Sequence, residues 1–369
     1  MPGLATPEGT RRFAKRFAGR AGAGHFRERR GLTLSSLGVG TYLGNPDAAT
    51  DRGYTGAVVT AVTSGVNVID AAINYRFQRS ERSIGQALVT LRDQGFGRDE
   101  LVLCTKAGYL TPDGDMPADP RQYFSKEYLE PGIFRPEELA SGCHCLAPQF
   151  LEDQLGRSLR NLGVEAIDVF YLHNPETQLA DVTREDFRAR VRGAFAFLET
   201  AVAMGKIGAY GMATWNAFRQ PQDAPDFIAL QEIAELARDV AGEDHHFRFA
   251  QLPFNLAMAE ALLLPNQPLD GRVVPLVSAA HQLGITVVAS ASLLQGRLAR
   301  NLPPFLKNVA GLESDVLRAL QFARSAPGIT TALVGMSQVA HVRENLKLLE
   351  VEPMPETKFR ELFHRQEST

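Results

Sequence analysis

IDVFYLHNP, residues 167–175, runs apolar for the length of a strand and then ends in a histidine, an asparagine and a proline. A near-continuous apolar run of this kind is what a parallel strand covered on both faces needs. Working outward, strand-like runs recur at 36–42, 66–70, 101–105, 207–212, 248–252, 285–289 and 331–334. Helical patterns lie between them. Residues 148–162 set Leu151, Leu155, Leu159 and Leu162 on one face, with Pro148 near the start and Gly163 just past the end. Residues 184–204 set Phe187, Val191, Phe195, Leu198 and Val202 on one face behind Thr183 as N-cap. A last unit has Ser337 as N-cap and turns Val339, Val342, Leu346 and Leu349 inward. Weaker helical patterns cover 54–64, 80–94, 226–240, 274–283 and 312–325. Eight strand–helix alternations predict an α/β fold, a single (β/α)8 TIM barrel. The competing arrangement is an open doubly wound sheet, but no Gly-x-Gly-x-x-Gly turn follows the first strand.

Three connections are long: 108–147, 253–272 and 291–311. Each follows a strand, so each is expected on the barrel's C-terminal face, where barrel active sites sit. Loops of that length carry their own small structure or act as lids. At the other end, RRFAKRFAGR (11–20) has five basic residues and no acidic one. Residues 1–24 are expected to form a basic N-terminal arm, its 18–24 stretch a flexible join, residues 25–352 the barrel, and 353–369 a tail. Phe13 and Phe17, four apart, also allow a short amphipathic helix within the arm.

The 369 residues suffice for a large unstapled core, and the net charge of −3 argues against a nucleic-acid partner. Three cysteines, Cys104, Cys143 and Cys145, point to a reducing, cytoplasmic setting and not to a disulfide scaffold. No apolar run approaches the ~20 residues of a membrane helix. Cys143-His144-Cys145 has no second pair of ligands elsewhere, so no metal site is expected; His144 is a candidate to reach the pocket from the long loop.

Four ionisable residues stand at or just beyond strand ends: Asp70 and Tyr75 in NVIDAAINY, Lys106 in LVLCTKAGY and His173 in DVFYLHNP. Taken singly, each has an ordinary structural explanation. As a set on one rim, in this order, they resemble the aldo-keto reductases. LGVGTYLG (37–44), ERSIGQAL (81–88) and HVRENL (341–346) strengthen the resemblance, which covers about residues 30 to 350. It implies an NAD(P)H-dependent oxidoreductase acting on a small-molecule carbonyl or alcohol. Tyr75 would be the general acid, matched to a phenol of ordinary pKa ~10 by a neighbouring Lys106 that lowers it. Asp70 would hold Lys106, and His173 would orient the carbonyl.

The same resemblance implies a cofactor site with departures. Gln251 stands at the family's glutamine, but Ala213 and Thr214 replace a serine and an asparagine, and Ser290-Ala-Ser-Leu293 lacks the usual stacking tyrosine. Thr41, Ser290, Leu293 and Gly296 complete the near side. Ser337, His341, Glu344 and Asn345 fall at the adenosine end. No Lys or Arg aligns with a 2′-phosphate contact there, so NADP is expected from the family with NAD as the alternative. On the substrate side stand Tyr42, Asn174 and Trp215. Arg76, beside the proton donor with Arg79, either selects an anionic substrate or points to solvent. Two other functions stay open: a cofactor-binding regulatory subunit, as in the family's potassium-channel subunits, and a lyase or isomerase using transient oxidation.

Overall fold

The computed structural model describes residues 1, 3–303, 306 and 311–364. Eight parallel strands close into a barrel: β1 (Leu37–Gly40), β2 (Val68–Asp70), β3 (Val102–Ala107), β4 (Ile167–His173), β5 (Ile207–Ala213), β6 (Phe247–Pro253), β7 (Thr286–Ser290) and β8 (Ile329–Gly335). Neighbours in sequence are neighbours in space, and β8 returns to β1. Each strand lies where an apolar run predicted one, so the doubly wound alternative is set aside.

Helices follow the strands: α1 (Ala48–Thr63), α2 (Arg79–Asp93), α3 (Pro148–Leu162), α4 (Arg184–Ala203), α5 (Leu230–Ala241), α6 (Leu276–Gln282), α7 (Asp315–Ser325) and α8 (Val339–Asn345). Their ends follow local chemistry. α3 starts on Pro148 and stops at Gly163, whose φ of 65° is left-handed. α4 starts where the Thr183 hydroxyl accepts the Asp186 amide. One expectation is corrected: α8 is capped at Gln338, one residue after Ser337, and Gln338 makes no side-chain cap bond.

The period of two along each strand explains where the ionisable residues go. Val68, Val102, Cys104, Val169, Tyr171, Phe249, Val288 and Leu333 form an apolar cluster distinct from the strand–helix core. Stepping two residues on from members of this cluster leads to Asp70, Lys106, His173 and Gln251. The registers Asp70 with Cys104, Lys106 with Tyr171, and His173 with Ala213 bring these strand ends to one rim. Close strand approach needs Gly211, where a Cβ would lie 2.2 Å from the Phe249 carbonyl oxygen.

The opposite end is closed by the hairpin Phe26–Arg29 and Leu32–Ser35, with Leu34 in the inner cluster. The N-terminal helix, Pro7–Arg16, packs alongside. Phe13 and Phe17 are buried, and Arg12 and Arg16 pair with Asp99 and Glu100, so this basic segment is docked. Its sequel is tied in as well, since the Gly22 amide donates to the Leu349 carbonyl. The long loop 108–147 has its own structure, including a helix at Pro120–Phe124 and a small ribbon pairing Leu139–Ala140 with His144–Cys145. Link 253–272 contains most of a second ribbon, Pro265–Leu269 with Arg272–Pro275. Link 291–311 lies partly outside the described residues.

Candidate active site

A cleft of about 770 Å³ opens at the C-terminal rim. Beneath its floor, Lys106 Nζ donates to Asp70 Oδ2 at 2.6 Å and to the Ala71 carbonyl at 2.7 Å. Gln251 Nε2 donates to Asp70 Oδ1 at 2.8 Å, so both carboxylate oxygens are satisfied. The pair is buried, which is tolerable only because each charge is met and hydrogen-bonded. Burial opposes the lysine's charge, but Asp70 and Tyr75 outweigh it and hold the ammonium above its ordinary pKa. Lys106 Nζ lies 5.2 Å from the centre of the Tyr75 ring. Burial pushes the Tyr75 phenol up by more than Lys106 draws it down. The expectation of a net lowering is therefore corrected: Tyr75 is a neutral phenol at neutral pH.

The His173 ring lies edge-on to Tyr75, 5.7 Å between centres. Burial, then Lys106, then His144 press its pKa well below the usual value, so the ring is a neutral imidazole. Its Nδ1 is 3.2 Å from the Asn74 carboxamide. Tyr42 packs against Tyr75 from the other side, with ring centres 4.9 Å apart.

Two residues that the sequence reading missed complete this wall. Asn74, directly before Tyr75, sets the His173 ring; its signal was its place between two candidates. Tyr109, three residues after Lys106, lies edge-on to His173 and to His144. His144 does not line the cleft. It is buried behind it, its Nε2 2.7 Å from the His173 carbonyl oxygen and its Nδ1 2.7 Å from Gln178 Nε2, and burial lowers its pKa to about 4. Among the described residues no group of His, Cys, Asp and Glu is arranged to hold a metal.

Arg76 departs most from expectation. It does not line the cleft. Its guanidinium is buried, donates to Asp51 Oδ1 at 2.5 Å and to Ser83, and lies 4.6 Å over the Tyr54 ring. Arg79 takes the other Asp51 oxygen at 2.6 Å. The reason is in the backbone: Arg76, Phe77 and Gln78 all have positive φ, at 49°, 56° and 70°. This left-handed turn carries Arg76 away from the mouth.

The other expected residues, Thr41, Asn174, Thr214, Trp215, Ser290, Leu293, Gly296, Ser337, His341, Glu344 and Asn345, all line the cleft. Thr41 is committed to the protein, donating to the Asp70 carbonyl and contacting the Ser80 hydroxyl. Thr214 Oγ1 and Ser292 Oγ are buried and have no hydrogen-bond partner. Unmet hydroxyls in a long cleft suit a polar ligand that supplies their partners. No lysine or arginine among the described residues lines the cleft.

The family model of the Aldo/keto reductase family matches residues 36–363. A D-threo-aldose 1-dehydrogenase from a Pseudomonas species is 29% identical over 186 residues, 50% of this chain and 51% of that protein. The chain thus spans about half the length of that curated relative. A probable voltage-gated potassium channel subunit beta from Oryza sativa subsp. japonica is 23% identical across 88% of this chain and 90% of that one. Among solved structures, an aldo/keto reductase from Klebsiella pneumoniae in complex with NADP and acetate superposes with a TM-score of 0.58. It is 20% identical, with 90% and 92% of the two chains covered, which is a likeness of fold.

Proposed function

The chain belongs to the aldo/keto reductase family, and from that premise we propose that it is an oxidoreductase interconverting a carbonyl and an alcohol with NAD(P)H. The carrying observation is the buried Lys106–Asp70 pair under Tyr75, at one mouth with a neutral His173.

The cleft fits the dinucleotide, with Thr214 and Ser292 offering free hydroxyls and Gln251 lining the floor. Ser337, His341, Glu344 and Asn345 lie where its adenosine end would be held. The bound nicotinamide supplies or accepts hydride. Tyr75 delivers a proton to the carbonyl oxygen as negative charge develops there, and takes it back in the oxidative direction. Lys106 makes the resulting phenolate affordable, and Asp70 keeps Lys106 charged and in place. His173, its one proton on Nε2 and its Nδ1 accepting from the Asn74 carboxamide NH2, donates from Nε2 to the same oxygen and orients it.

NADP is the family expectation and is the nucleotide in the Klebsiella structure. The groups available for a 2′-phosphate are Ser337 and His341, with no guanidinium or ammonium. NAD therefore stays the alternative, and the two should bind within about tenfold of each other, a small difference in free energy. Fluorescence titration of NADPH and NADH measures that ratio; a hundredfold preference would contradict it.

Turnover is tested by the loss of NAD(P)H absorbance with a panel of short aldehydes and ketones. Sustained oxidation supports the reductase. Tight cofactor binding with no oxidation supports a regulatory subunit, the reading favoured by the channel-subunit relative. Substrate conversion with no net cofactor change supports a lyase or isomerase. The three unpaired cysteines fit a cytoplasmic setting.

A further inference from the structure

We propose that His144, on the long loop between β3 and α3, is a positioning residue for the reaction, fixing His173 from behind so that its imidazole meets the substrate carbonyl. This rests on the redox reading above and adds to it a residue that does not touch the substrate.

The contact begins where the barrel's own ladder stops. The pairing of β3 with β4 ends at Ala107 and Leu172. One residue on, the His173 carbonyl meets a side chain instead, with His144 Nε2 2.7 Å from its oxygen. Gly108 leaves room for the ring, since a Cβ there would lie 2.6 Å from His144 Nε2 and 2.8 Å from the His173 carbonyl oxygen. His144 arrives on a segment antiparallel to the chain after β3: the Leu110 amide donates to the Cys143 carbonyl and the Cys145 amide to the Gly108 carbonyl, both at 2.8 Å. Directly after His173 the chain turns left-handed at Asn174, with φ 46°. The peptide that His144 grips therefore joins the strand to that turn.

The direction of that hydrogen bond is set by a chain of donors. Arg190, on α4, can only donate, and it donates to Gln178 Oε1 and to the carbonyls of Glu137 and Glu138. The Gln178 amide is thereby oriented with Nε2 toward His144, donating to its Nδ1 at 2.7 Å and to its carbonyl at 3.0 Å. His144 Nδ1 must accept, so the one ring proton sits on Nε2 and is donated to the His173 carbonyl. Gln178 and His144 are both fully buried, so water does not compete for these groups.

A second contact reaches the His173 ring. Tyr109 stands edge-on to both histidines, with ring centres 4.9 Å from His144 and 5.3 Å from His173. Its hydroxyl meets Asn174 Nδ2 and Thr177 Oγ1, each at 3.1 Å. His173 is thus held at its backbone by His144, at Nδ1 by Asn74, and at its ring by a tyrosine that itself packs on His144. A ring that must bring Nε2 to one substrate oxygen gains from each restraint, because a misplacement of about 1 Å costs on the order of a hundredfold in rate.

Two substitutions separate this grip from simple anchoring of the loop. In His144→Gln the carboxamide nitrogen reaches the depth of Nε2 and still donates to the His173 carbonyl, but the acceptor for Gln178 is lost. In His144→Asn the carboxamide sits at the depth of Nδ1, keeps an acceptor for Gln178 and loses the donor to His173. Each gives up one hydrogen bond, so their melting temperatures should be similar. Single-turnover aldehyde reduction should stay within about threefold of the unmodified rate in His144→Gln and fall by about tenfold or more in His144→Asn, with NAD(P)H affinity unchanged in both. Equal rates in the two variants, or losses that follow melting temperature, overturn the proposal. NMR of the imidazole nitrogens needs no variant: at neutral pH the His144 proton should sit on Nε2, and a proton on Nδ1 also overturns it. If the unmodified protein reduces no aldehyde, the redox reading fails by itself. The His173 nitrogen shifts then decide the positioning claim, and should move in His144→Asn but not in His144→Gln.

Discussion

At the scale of single residues the site is a balance of opposed effects on Tyr75. Burial raises its pKa and Lys106 lowers it, with burial ahead. The phenol is therefore protonated across neutral pH, so carbonyl reduction should stay flat there and fall only in the alkaline range. Alcohol oxidation needs the phenolate and should rise with pH instead. Lys106→Met removes the effect that favours the phenolate, so oxidation at neutral pH should drop by about tenfold for each unit of pKa gained. Reduction should lose less, because its acid form is retained. Steady-state rates in both directions across pH check this; equal losses in both directions would separate Lys106 from the tyrosine's ionisation. The same variant leaves the buried Asp70 carboxylate without its cation, so a lower melting temperature is expected with it.

At the scale of elements, the turn between β2 and α2 does the positioning. Three consecutive left-handed residues without a glycine cost about 1–2 kcal/mol each, so the surroundings must fix them. They do so through Asp51 on α1, which takes both Arg76 and Arg79. The turn also ties to the 108–147 loop: the Gly114 amide donates to the Phe77 carbonyl, and Gln78 Nε2 donates to the Pro112 carbonyl. Asp51→Ala should leave Arg76 buried without its ion-pair partner and lower stability by about 3 kcal/mol. It should also slow turnover by about tenfold or more, because small displacements of an acid from its target are expensive. Cofactor affinity should change little. Denaturant melts, single-turnover rates and cofactor titration measure the three; an unchanged turnover rate would remove the turn from the mechanism.

The sequence exposed much of this but not the turn. Asp70, Lys106 and His173 were legible because each ends an apolar strand, and strand periodicity fixes which way such residues face. Arg76 was not, because its direction depends on a backbone conformation that an arginine seldom adopts. Tyr109 and Asn74 sit beside recognised residues, yet their roles depend on distances between separate segments. The same holds for Gln251, whose amide proves to support Asp70.

At the scale of the whole molecule, the barrel buries neutral histidines that couple its stability to pH. His25 and His144 are both held at a pKa of about 4, with burial the main cause in each. The unfolded chain takes up protons on them near pH 6.5, whereas the folded chain refuses until about 4. Stability should therefore fall as pH drops through that window. Each histidine contributes roughly 3 kcal/mol of loss at full effect. Melting temperatures between pH 7 and pH 4 check the slope, and a flat profile would mean that these rings are not neutral and enclosed. The N-terminal helix and hairpin close the barrel's lower end, which leaves the upper rim as the face carrying the cleft.

The central claim is that the Tyr75 phenol, above Lys106 and Asp70, moves the proton in a redox reaction at that rim. The most direct measurement is Tyr75→Phe, comparing the single-turnover rate of aldehyde reduction with the affinity for NAD(P)H. Cofactor affinity should be nearly unchanged, and the rate should fall by about 10²–10⁴, the range of a positioned general acid. A variant that binds cofactor normally and reduces the aldehyde at the unmodified protein's rate would contradict the account.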